Sequence, residues 1–251
     1  MASPKRLITI AIPAFNEEER LVAAVETVAR CAAEAPEQPL EALIVDDGSS
    51  DRTWEIARSL EGRFPFVRAI RNETNRGVGA TLLRAAAEAR GEKILLFPAD
   101  NCVSAGTLRD LVMNAWKADF VGSSVENFGE RRALRRALSR IYSWLYRAAF
   151  GLPMSHVHVT PVYPVARLRE LRIRSRRYSF FAEVAVKLIR KGATYHEIPG
   201  TMNRGATRSS AIRPRNFAEV VVSFIALVLE VHLIRRSEYR LESRTLRPPL
   251  R

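Results

Sequence analysis

One segment, Leu43-Ile44-Val45-Asp46-Asp47-Gly48-Ser49-Ser50-Asp51-Arg52-Thr53, constrains this chain more than any other. An apolar run of buried type ends in two carboxylates, and a Gly-Ser turn follows. Asp51 then stands where a helix N-cap belongs, ahead of Trp54, Ile56, Ala57 and Leu60 at helical spacing. A strand entering a helix through so short a turn is half of a βαβ unit, and open α/β sheets bind ligands at the carboxyl ends of their strands. A plain turn with two solvated acids would have the same spacing. Residues Ile8-Thr9-Ile10-Ala11-Ile12-Pro13-Ala14-Phe15-Asn16-Glu17-Glu18-Glu19 repeat the pattern, with Asn16 expected to cap an acid-rich first helical turn. Two consecutive units with polar groups at the same end make a nucleotide-sized crevice.

The rest of the first half keeps this rhythm. Strand-like runs at 7–12, 41–46, 66–70, 93–97 and 119–123 alternate with helical patterns at 17–33, 51–61, 78–90 and 104–117. The alternation predicts an α/β fold with a mainly parallel sheet covered by helices on both faces. Gly91 is placed to close the third helix. After residue 125 the regularity breaks. Residues 130–150 predict one basic amphipathic helix, with Leu134, Leu138, Ile141, Leu145 and Ala149 on its apolar side. An irregular Pro and His region follows at 151–165, then a helix near 179–191, a strand near 194–198, a loop at 200–214 and an apolar helix at 216–234. A domain of residues 1–215 is expected, divided near 125, with 216–251 as a C-terminal helix and basic tail.

Charge divides at the same place. Residues 1–125 hold 15 Lys and Arg against 18 Asp and Glu, a net −3; residues 126–251 hold 25 against 9, a net +16. Of the 40 basic residues 35 are Arg, the side chain that makes forked contacts with phosphates. No helix-turn-helix, RNP-type aromatic pattern or zinc-finger spacing accompanies this charge, so nucleic acid is not the expected partner. An anionic membrane surface and a phosphorylated lipid are. The 18 residues from Phe217 to Ile234 would span about 27 Å, barely a bilayer core, and Glu219, Glu230 and His232 interrupt them. An interfacial or partner-binding helix is expected there, with a core helix and a transmembrane span as the alternatives. The opening residues lack a charged, apolar and small-residue leader pattern, and Cys31 and Cys102 lack metal-type spacing. Both facts predict a cytoplasmic protein.

The pair of opening motifs, with Asn75-Arg76-Gly77-Val78-Gly79-Ala80 and Leu95-Leu96-Phe97-Pro98-Ala99-Asp100-Asn101, resembles the family 2 glycosyltransferases of GT-A fold. Within them the chain looks most like the dolichyl-phosphate mannose synthase and polyprenyl-phosphate glycosyltransferase branch, over residues 7 to about 234. The resemblance implies that Pro13, Ala14, Glu17 and Asp46 hold the nucleoside and that Gly77 and Gly79 let backbone approach a nucleotide-sugar donor. It also implies Mg²⁺ or Mn²⁺ on the diphosphate. Here the sequence departs from the family, whose Asp-x-Asp becomes Pro98-Ala99-Asp100, with Cys102 where the branch can carry a ligating Gln. Asp100, assisted by Asn101, is the expected metal anchor.

On the acceptor side, Arg131 to Ser139 resembles the branch's acceptor loop, with Arg135 four residues before Ser139. Arg204, in Met202-Asn203-Arg204-Gly205, matches a second phosphate-side Arg. Arg131, Arg135, Ser139 and Arg204 are therefore expected to hold a polyprenyl phosphate; a solvated basic face is the competing explanation. Glu183 matches a family acid and is expected to hold an Arg or the donor sugar. His156 and His158 are expected to pack or face solvent, not to bind metal. Together these features predict an inverting hexosyltransferase, peripheral at the inner membrane face through residues 216–236, with a homo-oligomer or a membrane subunit as further partners. Transfer to a hydroxyl, with Glu183 as base, and a non-catalytic nucleotide-sugar-binding protein are the alternatives.

Overall fold

The computed structural model describes residues 6–125, 133–157, 160–175, 179–203 and 214–239. The strands are β1 (Ile8–Ala14), β2 (Leu40–Asp46), β3 (Val67–Arg71), β4 (Lys93–Leu96), β5 (Phe120–Val125), β6 (Thr160–Pro164) and β7 (Tyr195–Gly200). The helices are α1 (Leu21–Glu34), α2 (Thr53–Arg63), α3 (Val78–Glu88), α4 (Ala105–Asn114), α5 (Ala133–Phe150), α6 (Val165–Glu170), α7 (Phe180–Arg190) and α8 (Pro214–Leu229). A π-helical turn, Glu230–Ile234, extends α8.

The strands form one sheet in the order β3-β2-β1-β4-β6-β5-β7. β1 pairs in parallel with β2 on one side and β4 on the other. The chain leaves β1 toward β2 and β3, then returns to β4 on the opposite side, so the β1/β4 boundary is the topological switch point where such sheets open a crevice. Ile8, Ile10, Ile12, Leu43, Ile44 and Val45 have no measurable exposure. Helices cover both faces, which is why these strands are apolar without alternation. Each such side chain contributes roughly 1.5–3 kcal/mol by its burial.

Three local expectations need correction. Gly91 does not cap α3, which ends at Glu88. Instead, a Cβ at Gly91 would lie 2.6 Å from the Thr9 nitrogen and 2.8 Å from the Leu7 oxygen, so glycine is required by the close approach to β1. The 151–165 region is not irregular throughout: β6 sits inside the sheet, antiparallel to both β4 and β5. Two prolines in Thr160-Pro161-Val162-Tyr163-Pro164 disguise it, since proline removes ladder donors. Short ladders tolerate this because Val162 and Tyr163 carry the packing, at 0% and 1% exposure.

The third correction concerns α5. Leu138, Ile141 and Leu145, expected on its buried side, are exposed, as is Trp144. Tyr146, Phe150 and Ser143 are buried in their place, and Tyr146 and Phe150 meet Phe224 of α8 at ring-centroid distances of 5.0 and 5.9 Å. The helix carries two apolar stripes, and the aromatic one, with more area to remove from water, faces inward.

Candidate functional site

The carboxyl ends of β1, β2 and β4 meet at the switch point. Ala14 lies opposite Asp46 in the β1–β2 register, and Asp47 N–H donates to the Ala14 carbonyl at 2.8 Å. Pro13 presents its carbonyl to Ala99 N–H at 3.2 Å, which draws the Pro98–Asn101 turn against the end of β1. Pro13, Ala14, Glu17, Asp46, Asp100 and Asn101 therefore share one end of the sheet.

The two loops beside this end are laced together. Asn16, in the left-handed region at φ 54°, accepts the Ser50 N–H on its Oδ1 at 2.9 Å and donates its own N–H to Ser49 Oγ at 2.9 Å. Glu17 N–H donates to Thr53 Oγ1, and Glu18 N–H to Asp51 Oδ2. Asn16 thus reaches across to the other loop and does not cap its own helix, which starts only at Leu21. Asp51 does serve the start of α2, accepting the Thr53 N–H on Oδ1 at 3.0 Å.

The adjacent carboxylates have different work. Asp46, fully buried, accepts the Ser49 N–H on Oδ1, while Arg71 Nε stands 3.0 Å from Oδ2 as an ion pair. That leaves one buried carboxylate oxygen, Oδ2, beside the Arg71 guanidinium without a hydrogen-bond donor among the described residues. Asp47 is spent on structure: it accepts from Asn72 Nδ2 and Arg76 N–H on Oδ1 and from Gly77 N–H on Oδ2. Gly77 needs its lack of a side chain at φ 84°. Gly79, expected to share that role, is buried inside α3.

Asp100 folds its own turn, accepting the Cys102 N–H on Oδ1 at 3.1 Å. Asn101 follows at φ 55°, and its buried Oδ1 has no hydrogen-bond partner among the described residues. Burial raises the Glu17 carboxyl above its ordinary pKa, and the nearby charges of Asp100 and Asp51 push the same way. An acidic cleft with an orphaned amide oxygen suits a hard divalent cation such as Mg²⁺ or Mn²⁺, which takes oxygen ligands. Asp100 and Asn101 are the side chains that fit it. The described residues hold no group of three or more His, Cys, Asp or Glu able to bind a metal without further ligands.

The second half reaches this cleft through a small bridge. Val103 pairs with Met202, Asn203 N–H donates to the Cys102 carbonyl, and Asn203 Nδ2 donates to the Asn101 carbonyl at 2.7 Å. Arg204 comes next in sequence but lies outside the described residues, as do Arg131 and His158. Arg135 falls in α5 with its side chain undescribed, and Ser139 is half-buried on the same helix. His156 lies in the loop before β6.

Glu183 is not at this cleft's disposal. Buried on α7, it accepts from the Arg174 and Ser175 N–H groups and from Lys187 Nζ at 2.7 Å. The sequence reading missed Asp47, Arg71 and Asn203. Arg71 was findable as the one basic residue ending an adjacent parallel strand; Asn203 gave no signal beyond its neighbour Arg204.

The profile of glycosyl transferase family 2 matches residues 9–171. This chain belongs to that family. Its curated relatives include a dolichyl-phosphate beta-glucosyltransferase from Trichomonas vaginalis, 36% identical over 107 residues covering 41% of this chain and 32% of the relative. A dolichol-phosphate mannosyltransferase from Pyrococcus furiosus is 33% identical over 93 residues, 37% of this chain and 25% of the relative. The matches thus span a quarter to a third of those relatives' lengths. Among solved structures, mannosyl-3-phosphoglycerate synthase from Rubrobacter xylanophilus superposes with TM-score 0.67 at 19% identity, over 97% of this chain and 78% of the other. Glucosyl-3-phosphoglycerate synthase from Mycobacterium tuberculosis, solved with Mn²⁺ and UDP, gives 0.62 at 19% identity, over 90% and 79%. These likenesses establish the GT-A fold expected from the motifs.

Proposed function

We propose that this glycosyl transferase family 2 member moves a hexose, with inversion, from a nucleotide sugar to the phosphate of a polyprenyl lipid at the inner membrane surface. The observation that carries this reading is the Asn203–Asn101 bridge, which ties the start of the Arg204 loop to the acidic nucleotide end. Asp46 and Glu17 accept from the nucleoside, with Arg71 ion-paired to Asp46. Asp100 and Asn101 would hold a divalent cation, which would supply charge neutralisation for the departing diphosphate. Arg131, Arg135, Ser139 and Arg204 hold the acceptor phosphate, and its anionic oxygen bonds to the anomeric carbon. The carbon–oxygen bond to the diphosphate breaks, and its electron pair leaves with the nucleoside diphosphate. A phosphate nucleophile needs no general base, which agrees with Glu183 being fully engaged elsewhere. Acceptor hydroxyls would require one.

Incubation with labelled GDP-mannose, UDP-glucose and UDP-N-acetylglucosamine plus polyprenyl phosphate and Mn²⁺ tests the reading. Label should enter the organic phase from at least one donor. Transfer only to hydroxyl acceptors would overturn it.

A further inference from the structure

A cavity of about 710 Å³ opens at the amino end of the sheet, where Lys93 begins β4, Pro164 closes β6, and Asp119 and Thr194 precede β5 and β7. Strand β1 runs from this end to the acidic cleft and separates the two by about 20 Å, at roughly 3.3 Å per residue. The volume lies within the roughly 300–1,000 Å³ of small-molecule sites, but such sites are mostly apolar. This one is lined by six cations, Arg6, Arg90, Lys93, Lys117, Arg167 and Arg169, against the carboxylates of Glu92 and Asp119. Four of the six come from the half of the chain that carries net −3, so overall basicity does not explain the gathering.

Two of these cations build the wall. Buried Lys93 donates to the carbonyls of Ala115, Ala118 and Asp119, and Arg169 donates to those of Ala86, Ala87 and Ala89. Asp119 is engaged as well: its Oδ2 accepts the Thr194 N–H and Oγ1 at 2.9 Å each, with Arg167 Nη1 3.6 Å away. That Nη1 is buried without a hydrogen-bond acceptor among the described residues. Arg6 and Lys117 are exposed at the mouth and form no salt bridge with a described residue; the Arg6 guanidinium lies 5.2 Å over the Trp116 ring. Burial draws the Lys93 ammonium down to about 8, and the Arg6 charge adds to this against the pull of Asp119. The cavity thus holds a positive field larger than its own carboxylates offset.

We infer that this cavity binds a small anion carrying several phosphate groups, at a site separate from the nucleotide cleft. Guanidinium groups match phosphate oxygens in geometry and charge, and Arg6, Lys117 and Arg167 together call for more than one negative charge. A concave site walled by strand ends and fixed loops fits a compact ligand better than an extended chain. The inference does not rest on the proposed sugar transfer.

Inorganic tripolyphosphate, with EDTA and about 150 mM NaCl to suppress the metal-linked cleft and loose surface attraction, is the probe. It should raise the melting temperature of the full chain saturably. In a W54F/W144F background it should change Trp116 emission over the same concentrations, because an anion at Arg6 disturbs the cation over that ring. The variants R6A/K117A and Arg167→Gln should each weaken calorimetric binding about tenfold or more, with urea midpoints near the parent's. Arg204→Ala, on the acceptor side, should bind as the parent does. Unchanged binding in both cavity variants, loss in Arg204→Ala, or an equal response to sulfate at the same ionic strength would overturn the inference. So would binding of a hexaglutamate peptide where tripolyphosphate fails, which would make this surface a protein contact. Should a cavity variant not fold, the Trp116 signal decides alone, and its absence would remove the site.

Discussion

Asn203 donates its side-chain amide to the backbone carbonyl of Asn101 at 2.7 Å, across 102 residues of sequence. Asn101 thereby has its carbonyl satisfied while its own Oδ1 stays buried without a partner among the described residues. One residue therefore links the acidic cleft to the segment that leads into Arg204. Such an orphaned oxygen costs stability unless something binds it, which directs attention to a ligand.

Asp100→Ala should reduce turnover by roughly a hundredfold or more, the scale of losing an electrostatic stabiliser of a developing charge. It should also remove the Mn²⁺ dependence of nucleotide binding. Asp100→Asn separates charge from fold, because its amide oxygen can still accept from Cys102 N–H. Thermal shifts with nucleoside diphosphate, with and without Mn²⁺, read this directly. Unchanged metal linkage in the asparagine variant would remove Asp100 as the anchor.

Arg135→Ala and Arg204→Ala should each weaken use of the lipid phosphate while sparing nucleotide affinity. A lost charge-assisted contact to phosphate is worth about 1.5–3 kcal/mol, so a tenfold to hundredfold fall in acceptor kcat/KM is expected. Lysine should recover only part, having the charge without the fork. Acceptor kinetics at fixed donor within twofold of the parent would dispose of the clamp.

The first half of the fold was legible because its strands are buried on both faces and its turns carry chemistry. The runs ending at Ile12 and Asp46 each lead into a turn and then a helical pattern. The second half was harder for physical reasons. Prolines in β6 break the strand signal, and α5 is apolar over two stripes, so periodicity alone could not decide which one faces inward. Of the cleft, Glu17, Asp46 and Asp100 were visible as acids ending strands. The partition of labour between Asp46 and Asp47 was not, since it depends on where Arg71, Asn72 and Gly77 come to rest.

Asp47→Ala should destabilise the fold by about 2–4 kcal/mol, because it strands the Asn72 amide and the Arg76 and Gly77 N–H groups together. Nucleotide affinity should fall too, since the loop lies beside the Asp46 site. Urea unfolding gives the first quantity and calorimetry the second. A loss under 0.5 kcal/mol, about the scatter of an ordinary surface change, would mean that solvent replaces the carboxylate.

Glu17→Gln should act in opposite directions on stability and binding. Burial and the charges of Asp100 and Asp51 raise this carboxyl's pKa, so ionising it costs the folded state free energy above its folded pKa. The neutral amide should raise the melting temperature at pH 7 by about 1–3 °C. It should also weaken nucleotide binding, because one acceptor becomes a donor. The gain should vanish below pH 4, where the parent's glutamate is itself protonated. A lower melting temperature at pH 7 would contradict this electrostatic account.

The buried cluster Glu183–Lys187–Glu230 should make the docking of α8 sensitive to acid. Lys187, with no measurable exposure, lies 2.7 Å from Glu183 and 2.9 Å from Glu230, and also donates to the Arg172 carbonyl. Burial alone would raise the Glu230 pKa, but the Lys187 hydrogen bond and charge, with Arg174 and Tyr239, bring it below its ordinary 4.5. A depressed folded-state value means that Glu230's contribution is complete above about pH 4.5 and is lost as pH falls through that lower value. Protection factors along Phe224–Ile234, corrected for the slower intrinsic exchange in acid, should therefore be high at pH 7 and fall below pH 4.5, before those of β1 and β2. Lys187→Met should cost about 3–5 kcal/mol at pH 7 by removing the buried cation that Glu183 and Glu230 share. Glu230→Gln should cost less and flatten the acid limb. If the glutamine variant keeps the parent's pH profile in this segment, the ion pair does not govern how α8 is held.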